Sequence, residues 1–276
     1  MKYSVISTFA RFTIFAFSTL TAHAQTPRQI LKNHGWQRQQ TTLLLSEKNF
    51  DGWYTFLHDQ GRDRDPDHVF TLDNGVLHIT GAEFGSLTTE REYENYELTL
   101  EYKWGNATHA PRADAARDNG VFIHSVGKDG AYAGNWMHAI ECQIIEGGTG
   151  DFLVVGDGSD DFAMTSPVVS AAKAPYYFKP DGDTVSIHRG RINWYGRDPT
   201  WKDVKGFRGA KDLDKPLGEW NRIRILAIGE EVYYFVNGGL ANHALHVKPA
   251  KGRIQIQSEG AEIFVRKVEM TPLVRK

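Results

Sequence analysis

The sequence predicts an all-β protein built as a two-sheet antiparallel sandwich. Three observations carry that expectation. Short runs of β-branched and aromatic residues alternate with polar ones. Turn residues, chiefly Gly, Asn and Asp, separate the runs. No long stretch has a helical period, so no helices intervene to make the sheets parallel.

The N-terminal stretch "MKYSVISTFARFTIFAFSTLTAHAQ" reads as a secretory signal. Lys2 and Arg11 precede an apolar run, and Ala22-His23-Ala24 supplies the small-x-small pattern of a cleavage site before Gln25. The run is too short to span a bilayer, so no integral membrane segment is expected after cleavage. A periplasmic or secreted protein follows. Residues 25–41 form an extension, with at most one short helix in "TPRQILKNHGWQRQQ". Residues 42–273 form the sandwich, a size suited to one large all-β domain. Formal net charge is −2, which points away from a nucleic-acid partner. The single Cys142 rules out an intrachain disulfide.

Taken in chain order, "VFTLDNGVLHIT" is a hairpin, with Asn74-Gly75 giving the positive φ of a tight turn. In "NYELTLEYKW", Tyr96, Leu98, Leu100, Tyr102 and Trp104 share one face, and Glu97, Thr99, Glu101 and Lys103 share the other. "NGVFIHSV" and "WMHAIECQIIEGGTGDF" are further strands. "WNRIRILAIGEEVYYFVNGGLANH" reads as a hairpin turning near Gly229-Glu230. "GRIQIQSEGAEIFVRKVEMTP" reads as another, turning near Glu259-Gly260. The aromatic-bearing segment from about Gly156 to Gly218 is irregular, as expected of a site wall.

The chemistry is concentrated in "WMHAIECQIIEGGTGDF". If Ile140, Cys142 and Ile144 face the core, Glu141 and Gln143 face away and line a hollow. A β-bulge after Gln143 would bring Glu146 to them. The E-x-Q-x-x-E spacing is compatible with paired-carboxylate chemistry. A plain ion pair between Glu141 and Lys103 or an arginine is the competing structural expectation. If neighbouring strands cooperate, Lys103, His124 and Glu141 converge, with His124 as proton carrier. Arg117 is placed at the cleft mouth to hold sugar hydroxyls or a carbonyl oxygen. Trp136 and Tyr177, among other loop aromatics, are candidates for stacking on sugar rings or for packing. His138 is a weaker site candidate. No organic cofactor is expected. The acids of "GDGSDDF" and "PDGD" leave room for a structural or catalytic divalent cation, although no metal-site motif is present and no metal ligands are assigned. Phosphate-loop, dinucleotide, zinc-protease and serine-hydrolase motifs are absent from the sequence.

Six pieces in order, "LLSEKNFDGWYTF", "VFTLDNGVLHITGAEFGSLTTEREYENYELTLEYKW", "DNGVFIHS", "HAIECQIIEGGTGDF", "LGEWNRIRILAIGEEVYYFVNG" and "GRIQIQSEGAEIFVRKVEM", resemble the 3-keto-disaccharide hydrolase domain family. The resemblance implies a jelly-roll, concanavalin A-like sandwich, usually exported, acting on an oligosaccharide or glycoside already oxidised at C3. It implies removal of the C2 proton and loss of the C1 substituent. It places Lys103, Asn119, Glu141 and Gln143 at motif positions. Under it, Glu141 or His124 is the base, Lys103 or Arg117 holds the enolate oxygen, and Gln143 orients the sugar. An ordinary jelly-roll glycosidase using Glu141 and Glu146, and a non-catalytic carbohydrate-binding module, are the alternatives.

Overall fold

The computed structural model describes residues 25–276; the expected signal segment, with the cleavage expected after Ala24, lies outside the described residues. A helix, α1 (Pro27–Asn33), opens with a capping box between Thr26 and Gln29 and a proline in its first turn. Strands follow. β1 (Trp36–Arg38), β2 (Thr42–Leu43), β3 (Trp53–Leu57), β4 (Gly61–Arg62), β5 (Phe70–Asp73), β6 (Val76–Ile79) and β7 (Gly85–Thr89) form the first group. Next come β8 (Tyr96–Thr108), β9 (Asp118–Val126), β10 (His138–Ile145), β11 (Phe152–Val155), β12 (Ala163–Val168), β13 (Tyr176–Tyr177) and β14 (Asp183–Ile187). The last are β15 (Gly190–Asn193), β16 (Asn221–Ile228), β17 (Glu231–Val236), β18 (Gly239–Lys248), β19 (Arg253–Ser258) and β20 (Ala261–Arg275).

The strands make the jelly-roll sandwich expected from the sequence. The larger sheet runs β14-β12-β18-β17-β16-β8-β20-β6-β5, with β1 and β2 also paired to β20. The smaller runs β13-β15-β11-β10-β9-β19-β7-β3-β4. Pairing is antiparallel except between β13 and β15. Among the described residues, no helix is long and apolar enough to cross a membrane.

One core fills the space between the sheets. From β8 it takes Tyr96, Leu98, Leu100, Tyr102 and Trp104, the face that alternation predicts. From β10 it takes Ile140, Cys142 and Ile144, and from β19 Ile254 and Ile256. Cys142 is a free, buried thiol in this layer. A smaller cluster on the outside of the larger sheet seats α1, with Ile30 and Leu31 against Leu226, Ile228, Tyr233 and Phe235.

Two expected hairpins form as read. β5 and β6 turn at Asn74 and Gly75, both at positive φ, and β16 pairs with β17. The third does not. β19 pairs with β7 and β9 in the smaller sheet, whereas β20 pairs with β6 and β8 in the larger one. The turn at Glu259-Gly260 is real, with Gly260 at φ +76°, but it carries the chain from one sheet to the other.

Candidate active site

The open face of the smaller sheet is polar because three of its strands put core residues on one side and polar ones on the other. Beside the core residues of β10 stand Glu141 and Gln143. Beside Ile254 and Ile256 of β19 stand Gln255 and Gln257, and beside Leu87 of β7 stand Ser86 and Thr88. β9 contributes Gly120 opposite Gln143 and Phe122 opposite Glu141. Gly120 supplies no side chain, and the space it leaves is shared. A Cβ placed there would lie within 2.5 Å of both Glu141 Oε1 and Gln257 Oε1. Both oxygens are buried, and neither has a hydrogen-bond partner in the protein.

Glu141 is 3% exposed. Burial, reinforced by Asp118 and Asp151 and only partly opposed by Arg191, pushes its carboxyl well above the usual range. Its surroundings therefore favour the neutral acid over the carboxylate, and among the described residues the competing ion pair with Lys103 or an arginine does not form. Asp118, also buried, is pushed up to about 7; burial is the main cause, with Arg112 and Arg191 pulling the other way. Glu259, half-buried at the sheet-crossing turn, is raised well above its ordinary value by burial and by Asp118 and Glu141.

A chain of polar groups runs across the strands beside Glu141. Asp151 accepts from Arg191 Nη1 at 2.7 Å, from the Trp194 amide at 2.8 Å and from Arg197. Arg191 Nη2 donates to Gln143 Oε1 at 3.0 Å. Gln143 Nε2 donates to Asp118 and to the Asn119 carbonyl. Asp118 in turn meets Arg112 at 3.1 Å. A guanidinium can only donate, so the Gln143 amide has its oxygen toward Arg191 and its nitrogen toward Asp118. Gln255 is held equally firmly: it donates to Ser86 and Thr88 and accepts from the Met137 amide.

The structure thus unites Glu141 and Gln143 with residues to which the sequence reading gave no role: Asp118, Arg191, Asp151, Gln257 and Glu259. The "RIQIQS" alternation is the signal that marks Gln255 and Gln257. Arg191 sits on the short β15, within the segment read as irregular, where alternation gives no face.

Other expected members go elsewhere. His124 does not join Glu141. It takes φ +53° at a register break in the β9 pairings, and its side chain turns inward to meet Tyr96 of the other sheet, with ring centroids 5.8 Å apart. There Nδ1 bonds the Pro249 carbonyl, and burial lowers its pKa to about 4. A neutral, enclosed imidazole is not the expected proton carrier. Lys103 belongs to β8, in the other sheet, on its outer face beside Trp220 and Phe264. It cannot meet Glu141 through the core.

Arg117 and Glu146 lock each other. Arg117 Nη1 donates to Glu146 Oε1 at 2.8 Å, and the Arg117 and Gly206 amides donate to Oε2 at 3.0 and 2.7 Å. Both carboxylate oxygens are committed, both side chains are buried, and β10 pairs with β9 without a break from Ile140 to Ile145. The bulge expected after Gln143 falls instead at His138, so Glu146 is not a second catalytic carboxylate beside Glu141. Asn119 is a tether rather than a sugar contact: it donates to the Gln257 carbonyl at 2.6 Å and accepts from the Gly120 amide.

Trp136 packs between Phe84 and Phe122 and donates its indole N–H to the Gly85 carbonyl. It is buried in a small apolar cluster with Phe122, Ala139 and Val155 and offers no free ring face. His138 is half-buried against Phe162 and Tyr132. Tyr177 lines a cavity of about 310 Å³ with Tyr195, Arg197 and Pro199 at the β13 edge of the sheet. Among the described residues, no group of three or more His, Cys, Asp or Glu is arranged to hold a metal ion.

A family model described as a 3-keto-alpha-glucoside-1,2-lyase-like domain matches residues 40–271. No curated protein matches the chain. Among the solved structures that match are two from Parabacteroides distasonis, each named a "putative glycosyl hydrolase". One is 18% identical, covering 85% of this chain and all of the other, with a TM-score of 0.48. The second is 17% identical, covering 88% and 95%, with a TM-score of 0.47.

Proposed function

The chain belongs to the 3-keto-alpha-glucoside-1,2-lyase-like family, and we propose that it is an exported enzyme that cleaves glycosides oxidised at C3. It is a carbohydrate-active jelly-roll protein; the substrate and the roles below are our reading. The observation that carries them is the neutral Glu141, its bare Oε1 facing Gln257 Oε1 above Gly120.

A ketone at C3 acidifies the proton on C2. Removing it leaves an enolate, whose electrons return to form the C1–C2 double bond as the C1–O bond breaks. The C3 carbonyl re-forms, and the departing oxygen takes up a proton. This route needs a base, an acid and a cation for the enolate oxygen. Asp118, raised to about 7, is suited to be the base. Glu141, held neutral, is suited to protonate the leaving oxygen. Arg191 takes the enolate role expected of Lys103 or Arg117, and Gln143 orients the sugar between Arg191 and Asp118. Glu141 is buried, and Arg191 and Glu259 lie close enough to it for their charges to interact, so a substrate must displace neighbouring side chains to reach it.

The test is to incubate the chain from Gln25 onward with a glycoside and with its C3-oxidised counterpart. Release of the aglycone from the oxidised form alone is expected. Equal release from both would refute the elimination route, and binding without release would make the protein a binding module. Export is tested by the mass of the mature N-terminus, with cleavage between Ala24 and Gln25 expected.

A further inference from the structure

The outer face of the larger sheet lies on the far side of the sandwich from Glu141. α1 covers one part of it. Beside α1 the face is strongly cationic. A cavity of about 530 Å³ is lined by Lys215, Arg222, Arg224 and Arg266 against one acid, Glu101. An adjoining cavity of about 450 Å³ shares Arg222 and Arg224 and adds Arg28 and Arg38 against Glu97 and Glu269. The two cavities form one groove in which cations outnumber acids.

The acids present are already shared. Glu101 lies 2.7 Å from Arg222, 2.8 Å from Arg266 and 3.2 Å from Lys267. Its burial opposes ionisation, yet the hydrogen bonds from those three cations outweigh it and bring its pKa down to about 2. Glu97 is shared between Arg38 at 2.6 Å and Arg224 at 3.3 Å. Donor edges remain. Arg222 spends Nη2 on Glu101 and Arg266 spends Nε, leaving their other N–H groups available. Arg266 Cζ lies 3.9 Å from the centroid of the Trp220 ring, a cation–π contact that helps fix the side chain.

We propose that this groove binds an acidic oligosaccharide, a chain of sugars bearing carboxylate groups. Each end of the groove is built around one glutamate of β8, and Glu97 and Glu101 stand four residues, or about 13 Å, apart along an extended strand. That spacing suits a chain with several negative groups better than a single small anion. Guanidinium forks match carboxylates in pairs of parallel hydrogen bonds. A single-stranded nucleic acid would need open aromatic faces for its bases, whereas the Trp220 ring is covered by Arg266. The chain's formal charge of −2 means that any such attraction is local to this groove.

The test is calorimetric titration of the protein with tetragalacturonate, maltotetraose and an eight-residue oligothymidylate. Tetragalacturonate is expected to bind, more weakly as salt rises, and at least tenfold more weakly to the Arg222→Gln/Arg266→Gln variant. Maltotetraose should show no binding that this variant removes, and Glu141→Gln should bind tetragalacturonate as the wild type does. Lys215→Glu leaves the Glu101 pairs intact and should itself weaken binding at least threefold, so the proposal stays testable if the double variant does not fold. Binding unchanged by Lys215→Glu, binding lost in Glu141→Gln, or oligothymidylate binding as tightly as tetragalacturonate would each overturn the proposal.

Discussion

Glu141 and Gln257, on strands separated by β9, aim their Oε1 atoms at the same small space above Gly120. Two acceptors facing one another need a donor between them. The neutral Glu141 carboxyl has one proton to give, and a sugar hydroxyl has another.

Filling that space tests the arrangement. A Cβ at Gly120 meets only the ends of two side chains, so Gly120→Ala should fold and lose about 1–3 kcal/mol to overpacking. Turnover of the C3-oxidised glycoside should fall at least tenfold. Denaturant melts and initial rates measure the two effects, and wild-type turnover in this variant would remove Gly120 from the site.

Replacing the acid separates chemistry from packing. A glutamine has nearly the shape of the protonated Glu141 carboxyl, so Glu141→Gln should stay within about 1 kcal/mol of wild-type stability while abolishing turnover. A collapsed fold would mean that the carboxyl is structural.

Breaking the other buried carboxylate should do the reverse. Glu146→Gln leaves the Arg117 guanidinium enclosed without its counter-charge, a change that costs about 3–5 kcal/mol. Urea denaturation should show this loss. Normal stability with lost turnover would instead return Glu146 to the catalytic machinery.

Stability should also carry a pH signature. Asp214 is pushed up to about 7, chiefly by burial, with Asp212 adding to the shift and Arg208 opposing it. The folded chain then holds a proton that the unfolded chain releases near 3.8. The resulting stabilisation is full below about pH 3.8 and gone above about 7, and Asp118 acts with the same sign. His124, lowered to about 4, acts the other way: its contribution is present above about 6.5 and lost as pH falls. Comparing wild type with Asp214→Asn isolates one group. Their difference in unfolding free energy should shift against the wild type by a few kcal/mol, in order of magnitude, between pH 4 and 8. A difference independent of pH would contradict the assignment.

Much of this was legible in the residues. Alternation gave the two faces of β8 and placed Glu141 and Gln143 opposite the core, because side-chain direction in a strand depends only on local period. Sheet membership is set by distant partners. Lys103 therefore had the right polarity and the wrong sheet, and β19 and β20 looked like a hairpin although each pairs elsewhere. His124 escaped because one residue at positive φ reverses a side chain without any mark in the composition. Arg191 escaped because β15 is too short to show a period.

β20 extends the same point to biogenesis. It closes the larger sheet by bonding to β1, β2, β6 and β8, segments made long before it. Until residues 261–275 are made, β6 can pair only with β5 and β8 only with β16, while β1 and β2 lack the strand they pair with. The last strand to be made is thus a central one, and the larger sheet is continuous from β8 to β6 only when it is in place.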